Sequence, residues 1–105
     1  MAQLKIVYWR DIPGQVVYKE GRRNTRLRLP ARFMKAIERA AYRLKKQDQD
    51  AWFDPWHDVA QTVEGNDVRG QAERLIRQLE DDYSDAVLDQ LIRASGKDES
   101  RHLNA

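Results

Sequence analysis

The chain has 105 residues, 41% of them hydrophobic and 34% charged, which is enough for one domain with a single core but not for a deep internal pocket. It contains no cysteine, which excludes disulfides, thiolate metal sites and cysteine nucleophiles. The net charge of +2 hides two opposite parts, because residues 1–46 hold 13 basic and 3 acidic side chains, whereas residues 47–105 hold 6 basic and 14 acidic ones.

The first third of the chain predicts three β-strands. Residues 4–9 are rich in β-branched and aromatic side chains on both faces, a pattern typical of a central strand. Pro13 and Gly14 suit the central positions of a type II turn, so a second, antiparallel strand is expected over residues 15–19. Residues 25–29 alternate threonine or leucine with arginine, which predicts a third strand with one face in solvent.

The middle of the chain predicts a long helix followed by a short strand. Pro30 suits the start of a helix, where its missing amide hydrogen costs nothing. Apolar side chains then recur at helical spacing from residue 31 to about residue 47, with basic residues on the opposite side. A polar stretch ends this helix, and a short strand is expected at about residues 58–63.

The acidic part of the chain predicts one or two further helices. Asn66 or Asp67 suits the N-cap of a helix that extends to about residue 94. Ser84 offers a second N-cap where the apolar face shifts, so the segment forms either one helix or two. Gly96 closes it, and residues 97–105 are expected to be a frayed, polar tail.

Together these elements predict a single α+β domain over residues 1–96. The expected element order is about β-β-β-α-β-α, in a two-layer sandwich where two or three helices cover one face of a small, mainly antiparallel sheet. No apolar run approaches the roughly 20 residues that span a bilayer. The N-terminal residues show no signal-peptide pattern, so we expect a cytoplasmic protein.

The densest group of basic side chains is the first candidate site. Arginine suits bidentate binding of phosphate or carboxylate, and the predicted helix start near Pro30 adds free amides. The alternative is that these charges form an ordinary solvated surface. The candidate anion-binding or partner-binding residues are Arg22, Arg23, Arg26, Arg28 and Arg32.

The end of the first predicted strand is the second candidate. An aromatic pair, an Arg/Asp couple and a rigid turn meet there, and functional groups often lie at strand ends. Core packing and turn formation explain the same residues without a function. This strand-end corner consists of Tyr8, Trp9, Arg10, Asp11 and Pro13.

An aromatic cluster follows the first helix. Its tryptophans, Trp52 and Trp56, suit either a protein interface or the lid of the core. His57 lies between Asp54 and Asp58, but one histidine with two carboxylates is a common chance spacing, so we expect no metal. Without a glycine-rich phosphate loop or a histidine beside a nucleophile, we expect no cofactor and no enzyme activity.

Asp81, Asp82, Asp85 and Asp89 form an acidic stripe at helical spacing. Like charges at this spacing destabilise a helix, so a basic complement is expected. The first predicted helix is one source of that complement, and a partner molecule is another. A homodimer joined by these opposite charges is therefore one alternative.

Three segments of the chain resemble the bacterial virulence factor domain family. They read VYWRDIPGQV, RR-x-x-RLRLPARF-x-x-AI-x-RAA and LIRQLEDDYSDAVLDQLI, and the resemblance extends over about residues 4–92. Members of that family occur alone or beside helical repeats, and the family has no agreed catalytic residues. Stand-alone members lie near one-carbon and corrinoid methyl-transfer genes, so the resemblance implies an accessory protein that serves a larger enzyme.

The preferred hypothesis is a non-enzymatic interaction module whose arginine-rich face binds an acidic protein partner or a phosphorylated ligand. The alternative is a nucleic-acid-binding protein that uses the basic surface of residues 22–46, since each phosphate contact releases counterions. No helix-turn-helix or RNA-recognition motif accompanies that surface. A small enzyme would need a closed polar pocket that joins Arg10 and Asp11 to the arginines of residues 22–28.

Overall fold

The described part of the chain folds as an α+β arrangement of a four-stranded antiparallel sheet and three helices, which confirms the predicted fold class. The structure is a computed structural model that describes residues 3–47, 56–63 and 65–97. Its elements are β1 (Gln3–Trp9), β2 (Ile12–Glu20), β3 (Arg23–Arg28), α1 (Ala31–Gln47), β4 (Trp56–Gln61), α2 (Val68–Asp82) and α3 (Asp85–Arg93).

The strands are arranged in the order β3-β2-β1-β4, so β1 and β2 lie in the middle of the sheet. This position agrees with the apolar character of both faces of β1. In the register of the sheet, Ile6 of β1 lies between Val16 of β2 and Val59 of β4. Ile6 and Val16 are buried, whereas Val59 is 43% exposed because it lies on the edge strand.

One face of the sheet packs against the helices and forms the core. Ile6 and Val16 belong to this face, and α1 and α2 supply Phe33, Ile37 and Val68 from the helical layer. All five are nearly inaccessible to solvent. Burial of each such side chain contributes about 1.5–3 kcal/mol, so this single apolar layer is the main source of stability.

The turn between β1 and β2 lies earlier in the chain than the sequence predicts. Arg10 and Asp11 form the turn, and β2 already begins at Ile12. Pro13 and Gly14 therefore lie inside β2, and the prediction of a type II turn centred on them is wrong. Arg10 adopts the left-handed conformation that this tight turn requires, with φ at 53°.

A β-bulge explains how proline and glycine fit within a strand. Val7 pairs with Gln15 and Tyr8 pairs with Pro13, so Gly14 is the extra residue of β2. A bulge interrupts the regular ladder, which removes the need for a hydrogen-bond donor at the proline. The same bulge lies beside the candidate functional site.

The remaining strands differ from the prediction only at their ends. β3 begins at Arg23, and Leu29 follows its last residue instead of belonging to it. β4 begins at Trp56 and ends at Gln61, two residues before the predicted start and end. Its exposed edge position explains the weak sequence signal, because an edge strand lacks a strongly apolar face.

The acidic part forms two helices, because the chain breaks between Asp82 and Asp85. Asp67, not Asn66, caps α2 by accepting a hydrogen bond from the Gly70 amide at 3.0 Å. Ser84 caps α3 by accepting from Val87. None of the helices in the described part of the chain is long and apolar enough to cross a membrane.

Helices α1 and α3 lie side by side and run in the same direction. At their N-terminal ends, Arg32 lies 3.5 Å from Asp85. Towards their C-terminal ends, Arg43 donates a hydrogen bond to the carbonyl of Arg93 at 3.3 Å. The two contacts connect the basic helix to the acidic part of the chain at both ends of their packing.

Candidate functional site

The side of the sheet that faces away from the described helices carries basic side chains. Residues alternate along each strand, so neighbours of the core residues Leu4, Ile6, Val16 and Tyr18 point to this opposite side. We call it the uncovered basic face, and its basic residues are Lys5, Lys19, Arg26 and Arg28.

The register of the sheet places these side chains in rows across the strands. Val17 pairs with Lys5 on one side and with Arg26 on the other. Although Val17 lies outside the core cluster, it is only 7% exposed. Long basic side chains can cover an apolar neighbour with their aliphatic stems while their charges stay in water, and Lys5 and Arg26 are placed to do so at Val17.

The uncovered basic face has little acidic complement of its own. Asp58 is the one acidic residue at a described strand position of this face, and it forms an ion pair of 3.2 Å with Lys5. Arg26 and Arg28 are exposed and form no ion pair or hydrogen bond with any residue that the structure describes. Within the described part of the chain, no carboxylate competes for their guanidinium groups.

A groove of about 510 Å³ adjoins this face where β3 leads into α1. We call it the β3–α1 groove. Among the described residues that line the groove, Arg28 is the charged one, so the groove combines a cation with a largely apolar wall. The lining residues are Gly14, Gln15, Arg28, Leu29, Ala31, Met34 and Trp56.

The bulge at Gly14 shapes the β3–α1 groove. A Cβ atom at this position would lie 3.3 Å from the Ile37 side chain and 3.6 Å from the Trp56 indole ring. Because glycine lacks that atom, the indole ring lies close to the backbone of β2. The Gly14 carbonyl also accepts a hydrogen bond from the Leu29 amide, which ties the end of β3 to the bulge.

Two large apolar side chains in the β3–α1 groove remain accessible to solvent. Met34 is 45% exposed and Trp56 is 46% exposed. The sequence offered two interpretations of Trp56, an interface residue or a lid of the core, and its exposure agrees with the first. Trp52 lies outside the described residues.

The predicted arginine cluster does not form one convergent site. Arg26 and Arg28 share the uncovered basic face, and Arg22 lies in the turn between β2 and β3. Arg23 pairs with Glu20, at a position that alternates onto the helix-packed side of the sheet. Of the five predicted arginines, two therefore lie together on a strand face.

The fifth predicted arginine, Arg32, is engaged within the fold. Its guanidinium donates hydrogen bonds to the carbonyls of Tyr83 and Glu80, the latter at 2.9 Å. It also lies 3.5 Å from Asp85 and stacks 4.5 Å from the centre of the Phe33 ring. These contacts join the start of α1 to the end of α2 and the start of α3, so Arg32 has a structural role.

The strand-end corner divides between the core and the surface. Tyr8, Trp9 and Pro13 are buried. The ring of Tyr8 stacks on His57 of β4, with ring centres 5.5 Å apart. These three residues therefore pack within the domain and offer no open contact surface.

The other two residues of the corner hold the end of α3. Arg10 donates a hydrogen bond to the Ser95 carbonyl at 2.9 Å, and the Asp11 amide donates to the Gly96 carbonyl at 2.8 Å. Burial lowers the pKa of Arg10 below its ordinary value, while the charge of Asp11 opposes that shift. The corner acts as an anchor for the chain after α3.

The acidic stripe is partly balanced within the acidic part itself. Asp89 forms an ion pair of 3.0 Å with Arg93, and Asp82 accepts a hydrogen bond from Gln78 at 3.0 Å. Asp85 contacts Arg32 of α1. The first helix therefore supplies part of the expected basic complement.

The exposed basic side chains of α1 lie on a different side of the molecule from the uncovered basic face. Lys35 and Arg39 point away from the core, on the outer surface of the helical layer. Arg26 and Arg28 lie on the opposite side of the sheet. The basic first part of the chain thus forms two separate surfaces instead of one.

Some residues of the site were not identified from the sequence. Lys5 and Lys19 belong to the uncovered basic face, and strand alternation contains the signal that would have included them. Met34 and Gln15 line the groove, which depends on the bulge and on the path from β3 to α1. Nothing in the sequence pattern alone predicts that path.

No group of three or more His, Asp or Glu side chains in the described part of the chain is arranged to hold a metal ion. His57 stacks on Tyr8, and Asp58 pairs with Lys5. Asp54, the third member of the superficial metal pattern, lies outside the described residues. These contacts give His57 and Asp58 roles in packing and surface charge.

A comparison with protein families identifies the family of this chain. The family model described as "Virulence factor" matches residues 7–92. The chain belongs to the virulence factor family. No curated protein and no solved structure matches it. The matched range begins within β1 and ends within α3, so it contains every residue of the β3–α1 groove and, apart from Lys5, the basic residues of the uncovered basic face.

Proposed function

We propose that this virulence factor domain is a non-enzymatic interaction module that binds an acidic protein partner on its uncovered basic face. The observation that carries the proposal is that Arg26 and Arg28 are exposed side by side on a strand, without an ion pair to any described residue. A partner larger than the domain, such as the methyl-transfer enzyme that the family resemblance implies, belongs to the same proposal.

The chemistry of the uncovered basic face suits a protein surface. Complementary charges accelerate encounter and fix the orientation of two partners. Val17, which lies between Lys5 and Arg26, is buried, so the accessible part of the face consists mainly of basic side chains. An acidic surface of a partner complements these charges.

The separation of the two basic surfaces disfavours the nucleic-acid alternative. A long polyanion binds best to a continuous positive path. Arg26 lies on the uncovered basic face, whereas Arg39 lies on the outer surface of α1. A short acidic segment needs only one of these surfaces.

The positions of the arginines favour an interaction module over the enzyme alternative. Arg10 lies in the turn before β2, and Arg22 lies in the turn after it, so the two are at opposite ends of a strand of nine residues. Arg10 is also engaged with the Ser95 carbonyl. The groups that a closed polar pocket would have joined are thus held apart.

A pair of matched charge reversals tests the proposal. The face variant carries Arg26→Glu and Arg28→Glu, and the turn variant carries Arg22→Glu and Arg23→Glu, which changes the net charge equally. We expect a synthetic polyglutamate peptide to bind the face variant at least tenfold more weakly than the turn variant, as measured by fluorescence anisotropy. Circular dichroism of each variant checks that the fold is retained.

Short single-stranded DNA of the same charge as the peptide serves as the competing probe. Tighter binding of the DNA than of the peptide, or equal losses in the two variants, contradicts an acidic protein partner. A pull-down with the intact protein and both variants then identifies the partner. Its capture should be lost with the face variant and kept with the turn variant.

A further inference from the structure

We propose that the β3–α1 groove receives one apolar side chain of the acidic partner, with a neighbouring carboxylate held by Arg28. This inference rests on the proposed function and adds a position and a chemistry to it. The partner segment is then defined by a large apolar residue directly beside Asp or Glu. An acidic segment without such an apolar residue leaves the groove empty.

The first support is the composition of the groove wall. The described part of the chain exposes four large hydrophobic side chains, and two of them, Met34 and Trp56, line this one groove. Tryptophan is enriched at the centres of protein interfaces, and methionine adapts its shape to different partners. Covering both side chains removes apolar surface from water, which favours binding.

The second support is the size of the groove. Its volume of about 510 Å³ lies in the range of sites that hold small ligands, roughly 300–1,000 Å³. Gly14 contributes only backbone to the wall, because the space that a side chain would need is already taken by Ile37 and Trp56. A phenylalanine or leucine side chain therefore has room to enter.

The third support is the position of Arg28, which belongs to both the groove and the uncovered basic face. Its guanidinium forms no ion pair or hydrogen bond with the described residues, and arginine binds carboxylates through two parallel hydrogen bonds. A segment that places an apolar residue in the groove brings its next acidic residue to Arg28. The charge of the face then extends the contact along β3.

Two peptides separate the groove from the general charge of the face. Both are short and acidic, and they differ only at the central residue, which is phenylalanine in one and serine in the other. We expect the protein to bind the phenylalanine peptide about tenfold more tightly. Equal affinities overturn the groove inference and leave the proposed function intact, provided that the face variant weakens both peptides.

A matched pair of substitutions on α1 tests whether the groove causes the difference in affinity between the two peptides. Met34→Gln changes a lining residue, whereas Tyr42→Gln changes an exposed residue of the same helix that does not line the groove. Met34→Gln should reduce the ratio of the two peptide affinities to about threefold or less, and Tyr42→Gln should leave it near tenfold. The opposite ranking, or equal effects, overturns the inference. Both positions are exposed, so neither change disturbs the core.

The NMR signal of the Trp56 indole reports directly on whether a peptide occupies the groove. The chain has three tryptophans, and Trp56→Phe identifies the relevant signal in an NMR spectrum. The phenylalanine peptide should shift that signal, and the serine peptide should shift it much less. A peptide-induced shift elsewhere with an unchanged Trp56 signal overturns the inference, and so does a dimer of the free protein in which Trp56 is already covered. If neither peptide binds, the proposed function fails as well.

Discussion

Gly96 lies beyond α3, which ends at Arg93, and it adopts a backbone conformation that few other residue types favour. Its φ is 93°, in the left-handed region, and its carbonyl accepts a hydrogen bond from the Asp11 amide. A Cβ atom at this position would lie 2.5 Å from the indole ring of Trp9, which is buried. One residue therefore combines a backbone requirement with a packing requirement.

Gly96→Ala should lower the free energy of unfolding by about 3 kcal/mol, because left-handed strain and a core clash add together. Gly21→Ala is the matched control, since Gly21 has φ at 58° but no atom within 4 Å of the added Cβ. We expect that control to cost about 1 kcal/mol. Urea unfolding followed by circular dichroism measures both, and equal losses would refute the role of the Trp9 contact.

Among the secondary-structure elements, Arg32 connects α1 to α2 and α3 through its hydrogen bonds and ion pair. Its two carbonyl acceptors are Glu80, in the last turn of α2, and Tyr83, the residue that caps this helix, and backbone oxygens at a helix end lack partners within the helix. The positive charge also suits the negative end of that helix. A single side chain thus satisfies the end of one helix and orients two others.

Arg32→Lys retains the charge but loses the planar arrangement of donors, so the protein should lose about 1–2 kcal/mol of stability. Arg39→Lys, on the exposed side of the same helix, should change stability by less than about 0.5 kcal/mol. Thermal unfolding with a correction for the unfolding enthalpy compares the two. A result in which both substitutions have the same effect would contradict the structural role of Arg32.

For the whole molecule, the two-layer architecture decides how the basic part of the chain is used. The sheet separates the strand arginines from the helix surface, and α3 pairs part of the acidic sequence with α1. The basic and acidic parts of the sequence are therefore distributed over several separate surfaces of the folded domain. On the uncovered basic face, Arg26 and Arg28 form no ion pair with any described residue.

Salt should separate the two components of partner binding. The Debye length falls from about 10 Å at 0.1 M salt to about 3 Å at 1 M, so both acidic peptides should bind more weakly as salt rises. The preference for the phenylalanine peptide comes from apolar burial and should stay within about twofold of its low-salt value. Fluorescence anisotropy titrations at low and high salt measure the affinities of both peptides and their ratio. Loss of the preference in parallel with the affinity would show that charge alone creates it.

Sequence patterns predicted most of the fold, because strong local signals determine most of its elements. The N-cap at Ser84 and the alternation that turns Arg26 and Arg28 outward are local features, and the structure contains both. Pro13 and Gly14 misled the prediction, because the same dipeptide that suits a turn also suits a bulge. Only pairing with β1 distinguishes the two.

The candidate site was less predictable than the fold. Arg32 carries the same charge as Arg28, and only the packing of three helices separates the engaged side chain from the exposed one. Met34 likewise has the spacing of a core residue, yet it lies on the groove wall. Sequence identifies which residues suit binding, but tertiary packing determines which of them stay accessible.

The position of β3 at the edge of the sheet has a consequence for aggregation. An edge strand leaves backbone groups unpaired along one side, and these groups invite another strand to add. Charged side chains on such a strand oppose that addition, as gatekeeper residues do. Arg26 and Arg28 lie on this edge strand, so the charges proposed to bind a partner are also of the kind that opposes uncontrolled strand addition.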